Sequence, residues 1–566
     1  MRARLEAACA RDLMEPLRAV LGSRQTVAAA AVRLRSHAAS AAPVLLSGRP
    51  IGLLTRAQVE GALRHGLSSH PISALVSGGA PRVDPAADLA ALHRAALGVA
   101  PGVLVARPGG LVLGIVTRHR LDETLERLRR AVPAPPWLSG RHVGHLIDAL
   151  LDEDSANVLK RAGGLAGAHG TPLYLVGGIV RDLLRGQRGK DLDLVVEYGV
   201  GFAEELAQLL GGRITRHPSF GTAVVMAATA QRIDIAIARR EIYERPAQLP
   251  RVAAGSLLDD LLRRDVTVNS MAVRLDGGDY GRLRDDLAGS RDVSRRSLRV
   301  NHALSVLEDP TRAFRVARLG ARLGMTISEE TRRSLELANS RLAFDALTGE
   351  RMYRELRLIA QEPVPAAALD ACAALDLLRH MGPGLRWSST SRRWVGRLVD
   401  GVRGGLFPLS DPQPSLPLLL LMLLSISARA AQRLAIADRL RIQGEARALL
   451  VACGPAVAAL LRRLAGPAPP SRIVRICEPA PMEHLAVAWA IGKPVPRRAI
   501  EAYLRDYRKV RLDVSGHTLR EMGLEPGPRF AKILSQLRDA RLDGEVWDRS
   551  TERAMIERLM RRRRRG

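Results

Sequence analysis

The segment from Leu173 to Val196 constrains the fold of this 566-residue chain more than any other. Two short apolar runs, at 173–176 and 192–196, predict β-strands, and the stretch between them predicts a helix that follows a glycine pair. Gly177 and Gly178 would let the backbone approach a ligand closely, and the helix that begins there offers N–H groups to a phosphate. Arg181, in the first turn of this helix, is placed to reach a triphosphate oxygen.

Two aspartates, Asp191 and Asp193, flank the start of the second predicted strand. Alternate residues of a strand share a face, so both carboxylates are expected to point the same way. Two neighbouring carboxylates with no cation between them favour a bound cation, and Mg²⁺ prefers carboxylate and phosphate oxygens. Two such ions ~3.5–4 Å apart would activate an attacking hydroxyl and stabilise a leaving pyrophosphate. The sequence therefore predicts a two-metal magnesium site here.

Together, Gly177-Gly-x-Val-Arg-Asp182 and Asp191-x-Asp193 resemble the first motif of the class II tRNA nucleotidyltransferases and bacterial poly(A) polymerases, within the DNA polymerase beta superfamily. The resemblance continues in the family's order over residues 140–566, although Val266 stands where the family usually has phenylalanine. The further matching blocks are Phe220-Gly-Thr222, Ile233-Asp234 through Tyr243, Asp260 through Asn269, Asp292 with Arg299, Glu308-Asp-Pro-Thr-Arg312 with Arg315 and Arg318, Ser515-Gly-x-x-Leu519 and Gly523 through Pro528. So many ordered motifs make coincidence improbable.

The resemblance implies roles for residues beyond the aspartate pair. Asp234 is a candidate third catalytic carboxylate, and the alternative is an ordinary salt-bridged strand aspartate. Arg264, Asp265 and Asn269 are candidate contacts to the phosphates and sugar of a nucleotide, with a structural ion-pair cluster as the alternative.

The segment Glu308-Asp309-x-x-Arg312 suggests how a nucleotide is selected without a nucleic-acid template. Asp309 can accept from the exocyclic amino group of adenine or cytosine while Arg312 donates to the adjacent ring nitrogen, and guanine and uracil present the opposite arrangement. The alternative is a helix N-cap, because Pro310 follows Asp309. Glu308, Arg315 and Arg318 are expected to brace this helix in the nucleotide site.

The N-terminal part contains a repeat, in which Pro50 to Val59 returns as Val112 to Leu121. Each copy has a strand-like run before it, at 43–46 and 102–106, and a helix-like stretch after its Thr-Arg pair, so the copies should pack on each other. The repeat resembles a tandem CBS-domain pair, a module that often binds adenosyl ligands. Many ligand-binding members have an aspartate where this chain has Gln58 and Arg120, so architectural and regulatory roles both stay open.

The predicted fold class is multidomain. It combines an α/β CBS pair at 1–131, a proline-rich linker at 132–138 and an α+β polymerase-beta-like nucleotidyltransferase domain at 139–300. A helical base-recognition neck at 301–365 and an all-α RNA-binding region at 366–566 follow. Helical breaks are expected near the prolines at 363, 408–417 and 467–470.

The charge balance of the chain favours a polyanionic partner. The sequence has 86 basic and 58 acidic residues, for a net charge of +28, and nucleic acid is the natural partner of such a protein. Aromatic residues make up only 3%, which argues against RNA binding mainly by base stacking. Gly527 and Arg529 at a Pro-Gly-Pro turn are candidate RNA contacts, and Arg561 to Arg565 form a terminal basic run.

Other sequence features indicate a cytoplasmic protein. The four cysteines are scattered without metal-ligand or disulfide spacing, and the charged N-terminus is unlike a signal peptide. The longest apolar run, Leu416 to Leu424, is far shorter than the ~20 residues of a membrane span, so it predicts a buried helix.

The expected activity is addition of the 3′-terminal adenosine, with full CCA addition also open, to tRNA from ATP and CTP, with Mg²⁺ as cofactor. Poly(A) polymerase is the alternative within the same chemistry, and a non-catalytic CBS-linked RNA-binding protein is the alternative of another class. No membrane partner is expected, and self-association through the CBS pair is a further expectation.

Overall fold

The computed structural model describes residues 8–130, 141–189, 191–197, 201–217, 221–340, 343–407 and 416–561. The predicted linker at 132–138, Lys190, Phe220 and the terminal arginines from 562 onward lie outside these residues. The chain divides into two compact units, Met1–Leu347 and Thr348–Gly566. The finer domain boundaries expected from the sequence stay predictions.

The N-terminal repeat forms two similar β-hairpins, each followed by a helix. Strands Ala41–Leu46 and Arg49–Thr55 precede helix Arg56–Arg64, and strands Gly102–Ala106 and Val112–Thr117 precede helix Arg118–Arg130. The smaller strands join them into a three-stranded and a four-stranded sheet: Leu21–Gly22 in the first, Glu15–Pro16 and Arg82–Val83 in the second. Helices Ala10–Leu13, Val27–Ser36 and Leu89–Ala96 complete the layer.

The repeated threonines have a structural role, because each caps the helix that follows it. Thr55 Oγ1 accepts from the Gln58 N–H at 3.2 Å and Thr117 Oγ1 from the Arg120 N–H at 3.4 Å. The copies pack on each other as predicted, since one buried cluster combines residues of both: Ala41, Leu53, Leu104 and Ile115.

A seven-stranded mixed sheet forms the centre of the region that follows the N-terminal repeat. Its strands lie in the order Arg213–His217, Thr222–Met226, Arg232–Ile237, Leu192–Val196, Leu173–Val176, Ala272–Arg274 and Leu283–Arg284. Two of these, Leu192–Val196 and Arg232–Ile237, are parallel neighbours. Two-stranded ribbons join Arg239–Ile242 to Arg251–Ala254 and Ser297–Leu298 to Thr326–Ile327. The strands predicted at 173–176 and 192–196 are confirmed at both ends.

Alternation along the central strand decides which face carries the aspartates. Leu192 and Leu194 belong to the large core on one face of the sheet, whereas Val195 belongs to a smaller cluster on the other. Asp191 and Asp193 therefore share the face of Val195, because residues two apart in a strand point the same way.

The helices of the remaining first unit cover the sheet and continue beyond it. They are Gly144–Leu150, Glu153–Ala168, Gly178–Leu184, Phe202–Leu209, Leu257–Leu262, Gly289–Ser294, Ser305–Glu308, Thr311–Leu323 and Glu329–Ser340, with 3₁₀ turns at Ile72–Leu75, Thr267–Asn269 and Gly277–Asp279.

The second unit is helical in its described residues. Its helices are Gly349–Gln361, Pro365–Ala374, Ser389–Arg403, Leu416–Leu424, Ala430–Arg439, Gly444–Arg463, Pro470–Cys477, Met482–Ile491, Pro494–Arg505, Gly516–Glu521, Pro528–Leu542 and Arg549–Arg561, with 3₁₀ turns at Leu378–Met381 and Tyr507–Lys509. The apolar helix Leu416–Leu424 is buried, as predicted. Within the described residues, Gly444–Arg463 has the length and hydropathy of a membrane span, a weak indication because core helices of globular proteins have them too.

Candidate active site

A cavity of about 450 Å³ lies beside the glycine turn, and both aspartates of the central strand line it. Asp191 directly precedes the strand Leu192–Val196, and Asp193 is its second residue. The two side chains therefore lie on one face at one cavity, as their spacing predicts. In the part of the chain that the structure describes, neither carboxylate forms a hydrogen bond or an ion pair.

The surroundings of Asp193 disfavour its charged form. Burial raises the pKa of Asp193 to about 6, Arg264 opposes that rise, and the nearby Asp234 and Asp191 add to it. A carboxylate with a raised pKa gains when a cation binds beside it, because the cation restores the charged form. These oxygens thus fit a hard divalent cation.

The unfavourable burial of the Asp193 charge can be tested by measuring the free energy of unfolding. We expect Asp193→Asn to increase the free energy of unfolding of the metal-free protein at pH 8 by roughly 1–3 kcal/mol, because each pH unit between folded and unfolded pKa corresponds to about 1.4 kcal/mol. Because the pKa of Asp193 is higher in the folded than in the unfolded protein, protonation of Asp193 stabilises the folded state at pH values below the unfolded pKa. This contribution to stability is lost as the pH rises through about 6. The gain should therefore shrink as pH falls from 6 towards 4. Urea unfolding in EDTA across this pH range measures it, and Asp154→Asn on an exposed helix position is the control. An unchanged or lower stability at pH 8 would contradict it.

Asp234 lies directly opposite Asp193 on the neighbouring parallel strand. Its carboxylate is held by Arg232, with Nε to Oδ2 at 2.9 Å and Nη2 to Oδ1 at 2.8 Å. Asp234 is not among the residues that line the cavity. The structure thus displays the salt bridge that was the alternative for this residue, while its position beside Asp193 keeps it within electrostatic reach of the pair.

Gly177 makes the close approach at the turn possible. Its φ of 84° is a conformation that favours glycine. A Cβ added here would lie 3.1 Å from Arg264 Nη1 and 3.6 Å from Asp193 Oδ2. Arg264 is held in place by Asp260, with Nη2 to Oδ2 at 3.0 Å. Because Gly177 has no side chain, the Arg264 guanidinium and the Asp193 carboxylate can both lie against the turn. Gly178 begins the next helix and lines the cavity.

Arg181 lines the cavity but is almost completely buried. Its Nε and Nη2 donate to the Asp182 carboxylate at 2.9 and 2.8 Å, and its Nη1 donates to Asn269 Oδ1 at 2.5 Å. Only 5% of Arg181 is exposed. The guanidinium thus joins the helix after the glycines to the 3₁₀ turn Thr267–Asn269, and both partners line the cavity.

Asp265 and its partner Arg315 both line the cavity. Burial opposes the ionisation of Asp265, but Arg315 Nη2 at 3.1 Å and the Val266 N–H at 2.9 Å outweigh it and lower the pKa of Asp265. Asp265 is therefore charged at neutral pH and orients an arginine that reaches the cavity.

One face of the helix Thr311–Leu323 supplies a wall of cations. Arg315, Arg318 and Arg322 line the cavity at helical spacing, and Arg185 lines it from the end of the helix Gly178–Leu184. Arg322, Arg185 and Gln187 were missed by the sequence analysis. The recurrence of arginine after three and then four residues was the signal for Arg322, whereas nothing local indicated Arg185.

The predicted base-reading pair lies away from this cavity. Asp309 Oδ1 accepts from the Thr311 N–H at 3.1 Å and from its hydroxyl at 2.7 Å, as an N-cap does. Arg312 is 4% exposed and donates to the Arg263 carbonyl at 2.6 Å and to Ser305 Oγ at 2.9 Å. The structure therefore groups Arg315 and Arg318 with the aspartate pair but not Asp309 and Arg312.

The second unit has its own cationic cavity, of about 550 Å³. It is lined by the Gly404-Gly405-Leu406 turn, by Leu504, and by Arg505, Arg508, Lys509 and Arg511. The predicted RNA contacts lie elsewhere in this unit: Gly527 precedes the helix Pro528–Leu542, and Arg529 in its first turn is exposed. The cationic cavity was missed, because Arg505 to Arg511 look like ordinary solvated charges in the sequence.

A mixed sheet with a carboxylate pair, a glycine turn and a facing wall of arginines has the architecture of a nucleotidyltransferase head. The profile of the family described as "Poly A polymerase head domain" matches residues 173–299. The CC-adding tRNA nucleotidyltransferase of Deinococcus radiodurans is 31% identical over 68% of this chain and 89% of its own length. The chain belongs to the tRNA nucleotidyltransferase family.

Two further relatives extend the comparison. The A-adding tRNA nucleotidyltransferase of Geobacter sulfurreducens is 30% identical over 97% of this chain, and the chain spans 64% of that relative's length. The structure of the Thermotoga maritima CCA-adding enzyme complexed with tRNA covers 74% of this chain and 99% of that chain, with 26% identity and a TM-score of 0.63.

Proposed function

We propose that this protein adds nucleotides, at least the terminal adenosine, to the 3′ end of tRNA. The RNA 3′-hydroxyl attacks the α-phosphate of ATP, with CTP as a second candidate substrate, and pyrophosphate leaves. The observation that carries the proposal is the pairing of Asp191 and Asp193 at a cavity walled by arginines and a glycine turn. The similarity to an A-adding relative over 97% of this chain supports adenosine addition.

Asp191 and Asp193 would hold the divalent cations, for which we propose Mg²⁺. Such ions polarise the transferring phosphoryl group and lower the pKa of an attacking hydroxyl. The raised pKa of Asp193, about 6 through burial, fits this role because its charged form needs a partner cation. Asp234 would act as the third carboxylate only if it released Arg232. The two residues form an exposed ion pair, of a kind that costs at most about 1 kcal/mol to break.

Cations around the cavity would bind the triphosphate. Arg315, Arg318 and Arg322 present guanidinium groups from one helix, and Arg185 faces them. Guanidinium groups match phosphate oxygens in geometry and stay charged at every physiological pH. Arg181, which also lines the cavity, fixes Asn269, and Arg264 acts beside Gly177.

Asp309 and Arg312 are the proposed readers of the base. Both use their polar atoms within the protein, in an N-cap and in contacts with Arg263 and Ser305. Base reading through these atoms requires them to exchange those partners for the Watson–Crick edge of adenine or cytosine. The helix N-terminus at Thr311 is therefore the proposed element that rearranges when a nucleotide binds.

The first 131 residues are proposed to form a tandem CBS-domain pair. The support is the repeated hairpin-and-helix unit and its shared buried cluster. Gln58 and Arg120 occupy the positions where ligand-binding members often have aspartate, which favours an architectural role over adenosyl binding. Self-association through this pair and a cytoplasmic location complete the proposal.

The RNA would be held by the second unit through its phosphates. Four cations line the cavity between the turn at 404–406 and positions 505–511. Arg508 and Lys509 have no carboxylate partner among the described residues, so their charges are available to a polyanion. Gly527 and Arg529 remain the second proposed contact, at the exposed start of a helix.

Neutralising the cavity gives a direct test. We expect the double variant Arg508→Gln with Lys509→Gln to weaken tRNA binding about tenfold at low salt and to reduce the slope of log Kd against log salt by about 1–2. The slope falls because fewer counterions are released on binding when fewer phosphates are contacted. Filter binding across a salt series measures both. The matched control is Arg462→Gln with Arg463→Gln, an exposed arginine pair of the same unit outside the cavity. Equal effects of the two double variants would contradict a site at this cavity.

The function itself is tested with labelled ATP or CTP and tRNAs that end before each of the three terminal positions. We expect Mg²⁺-dependent adenosine incorporation into tRNA ending in CC, abolished by EDTA. C incorporation into shorter tRNAs would show full CCA addition. Long tails on arbitrary RNA would instead favour a poly(A) polymerase, and absence of any incorporation would favour an RNA-binding protein.

A further inference from the structure

A buried polar cluster joins the N-terminal repeat to the segment proposed to select the base. His65 directly follows the helix Arg56–Arg64 of the first repeat copy, and its Nε2 lies 3.8 Å from Glu308 Oε1. His302 Nε2 lies 3.6 Å from the other carboxylate oxygen. Glu308 is therefore held between a histidine of the repeat and a histidine of its own segment.

The His65 ring is buried beside the Glu308 carboxylate. The side chain is 1% exposed, and in the described residues neither ring nitrogen has a hydrogen-bond partner of good geometry. A buried imidazole without such a partner is unfavourable. Glu308 is the acidic group beside this ring. Burial would raise the pKa of Glu308, but His302, His65 and Arg312 together outweigh burial and lower it.

Glu308 is in turn coupled to the proposed reader. It is the last residue of the helix Ser305–Glu308 and precedes Asp309 directly. Its carbonyl accepts from the Ala247 N–H at 3.0 Å, and Arg312 donates to Ser305 at the start of the same helix. A displacement of Glu308 would therefore act on Asp309 through one peptide bond and on Arg312 through one short helix.

We propose that His65 is a positioning residue for nucleotide selection, which fixes Glu308 and thereby sets Asp309 and Arg312. The N-terminal repeat then contributes to substrate choice without touching the nucleotide. This inference rests on the proposed function.

The test compares nucleotide discrimination in His65→Phe with that of the unaltered full-length protein. We expect the ratio of kcat/KM for ATP over GTP to fall about tenfold, mainly through KM for ATP, because phenylalanine keeps the shape of the ring and removes the polar contact. His65→Gln, whose amide nitrogen can reach the place of Nε2, should restore most of the ratio. His37→Phe, at an exposed histidine of the same repeat copy, should leave it unchanged.

The ratio separates positioning from mere loss of stability, since a partly unfolded sample loses activity equally for all nucleotides. An unchanged ratio in His65→Phe would overturn the inference even if total activity fell. If His65→Phe does not fold, as judged by circular dichroism, the ratio of His65→Ala decides in the same way. Absence of incorporation by the unaltered protein would instead reject the proposed function.

Discussion

Asp191→Asn and Asp193→Asn are each expected to reduce nucleotide incorporation by about 10³-fold or more, because either change removes a charged oxygen ligand whose cation stabilises the transition state by several kcal/mol. Asparagine has nearly the same shape as aspartate, so the cavity and the glycine turn should persist. Binding of tRNA should stay within about twofold, since neither carboxylate is proposed to contact the RNA. Single-turnover incorporation and filter binding measure the two effects.

The same assay decides the role of Asp234. Its carboxylate is paired with Arg232, yet it lies opposite Asp193 in the sheet. If Asp234 is the third ligand, Asp234→Asn should match the loss seen for Asp193→Asn. If its role is the surface pair alone, activity should fall no more than about threefold. Asp154→Asn, at an exposed helix position, is the control, and unchanged incorporation in both Asp191→Asn and Asp193→Asn would refute the assignment of the site.

Arg284→Met is expected to lower the free energy of unfolding by about 3–5 kcal/mol, because it removes the cation of a buried ionic network. Arg284 is 8% exposed, and its guanidinium donates to Glu126 Oε1 at 2.7 Å and to Asp286 Oδ2 at 3.3 Å. Arg284 Nη2 also lies 3.5 Å from Asp122 Oδ1. Although burial alone would lower it, these acids raise the pKa of Arg284, so it stays charged.

This network joins the second repeat helix to the sheet that carries the aspartates. Glu126 and Asp122 lie on the helix Arg118–Arg130, and Arg118 at the start of that helix donates to the Asp286 carbonyl at 2.8 Å. Loss of the cation should therefore loosen the repeat from the catalytic region as well as reduce stability.

Urea unfolding followed by circular dichroism measures the change. Arg56→Met is the matched control, since Arg56 forms an exposed pair with Glu60 at 3.9 Å that should be worth less than about 1 kcal/mol. Arg284→Lys should recover part of the loss, because it keeps the charge but not the fork geometry. A loss below 1 kcal/mol in Arg284→Met would show that the network adds little.

The local elements of the site could be predicted because they depend on local sequence. The short apolar runs Leu173–Val176 and Leu192–Val196 predicted both strands, and the glycine pair predicted the turn. The alternation of residues along a strand predicted the common face of the aspartates. The repeat of Pro50 to Val59 likewise predicted two hairpin-and-helix units that pack together. The spacing of neighbouring residues is sufficient to predict such features, since in a strand or a helix this spacing determines the direction in which each side chain points.

Other parts of the site could not be predicted, because they depend on partners far apart in the chain. The sequence offered two roles for Asp309 and for Asp234, and the contacts in the folded chain display an N-cap and a salt bridge. Arg185 reaches the cavity only because the end of its helix packs near the helix Thr311–Leu323, to which it donates at the Leu323 carbonyl.

The amino-acid sequence by itself determined the local geometry of the candidate site, in the order and spacing of its glycines and aspartates. Only the tertiary structure decided which cations face those aspartates, and that the repeat is joined to the catalytic region through Arg284 and His65. The physical reason is that a carboxylate and a glycine turn are placed by neighbours in sequence, whereas burial and ion pairing depend on which surfaces meet when the chain folds.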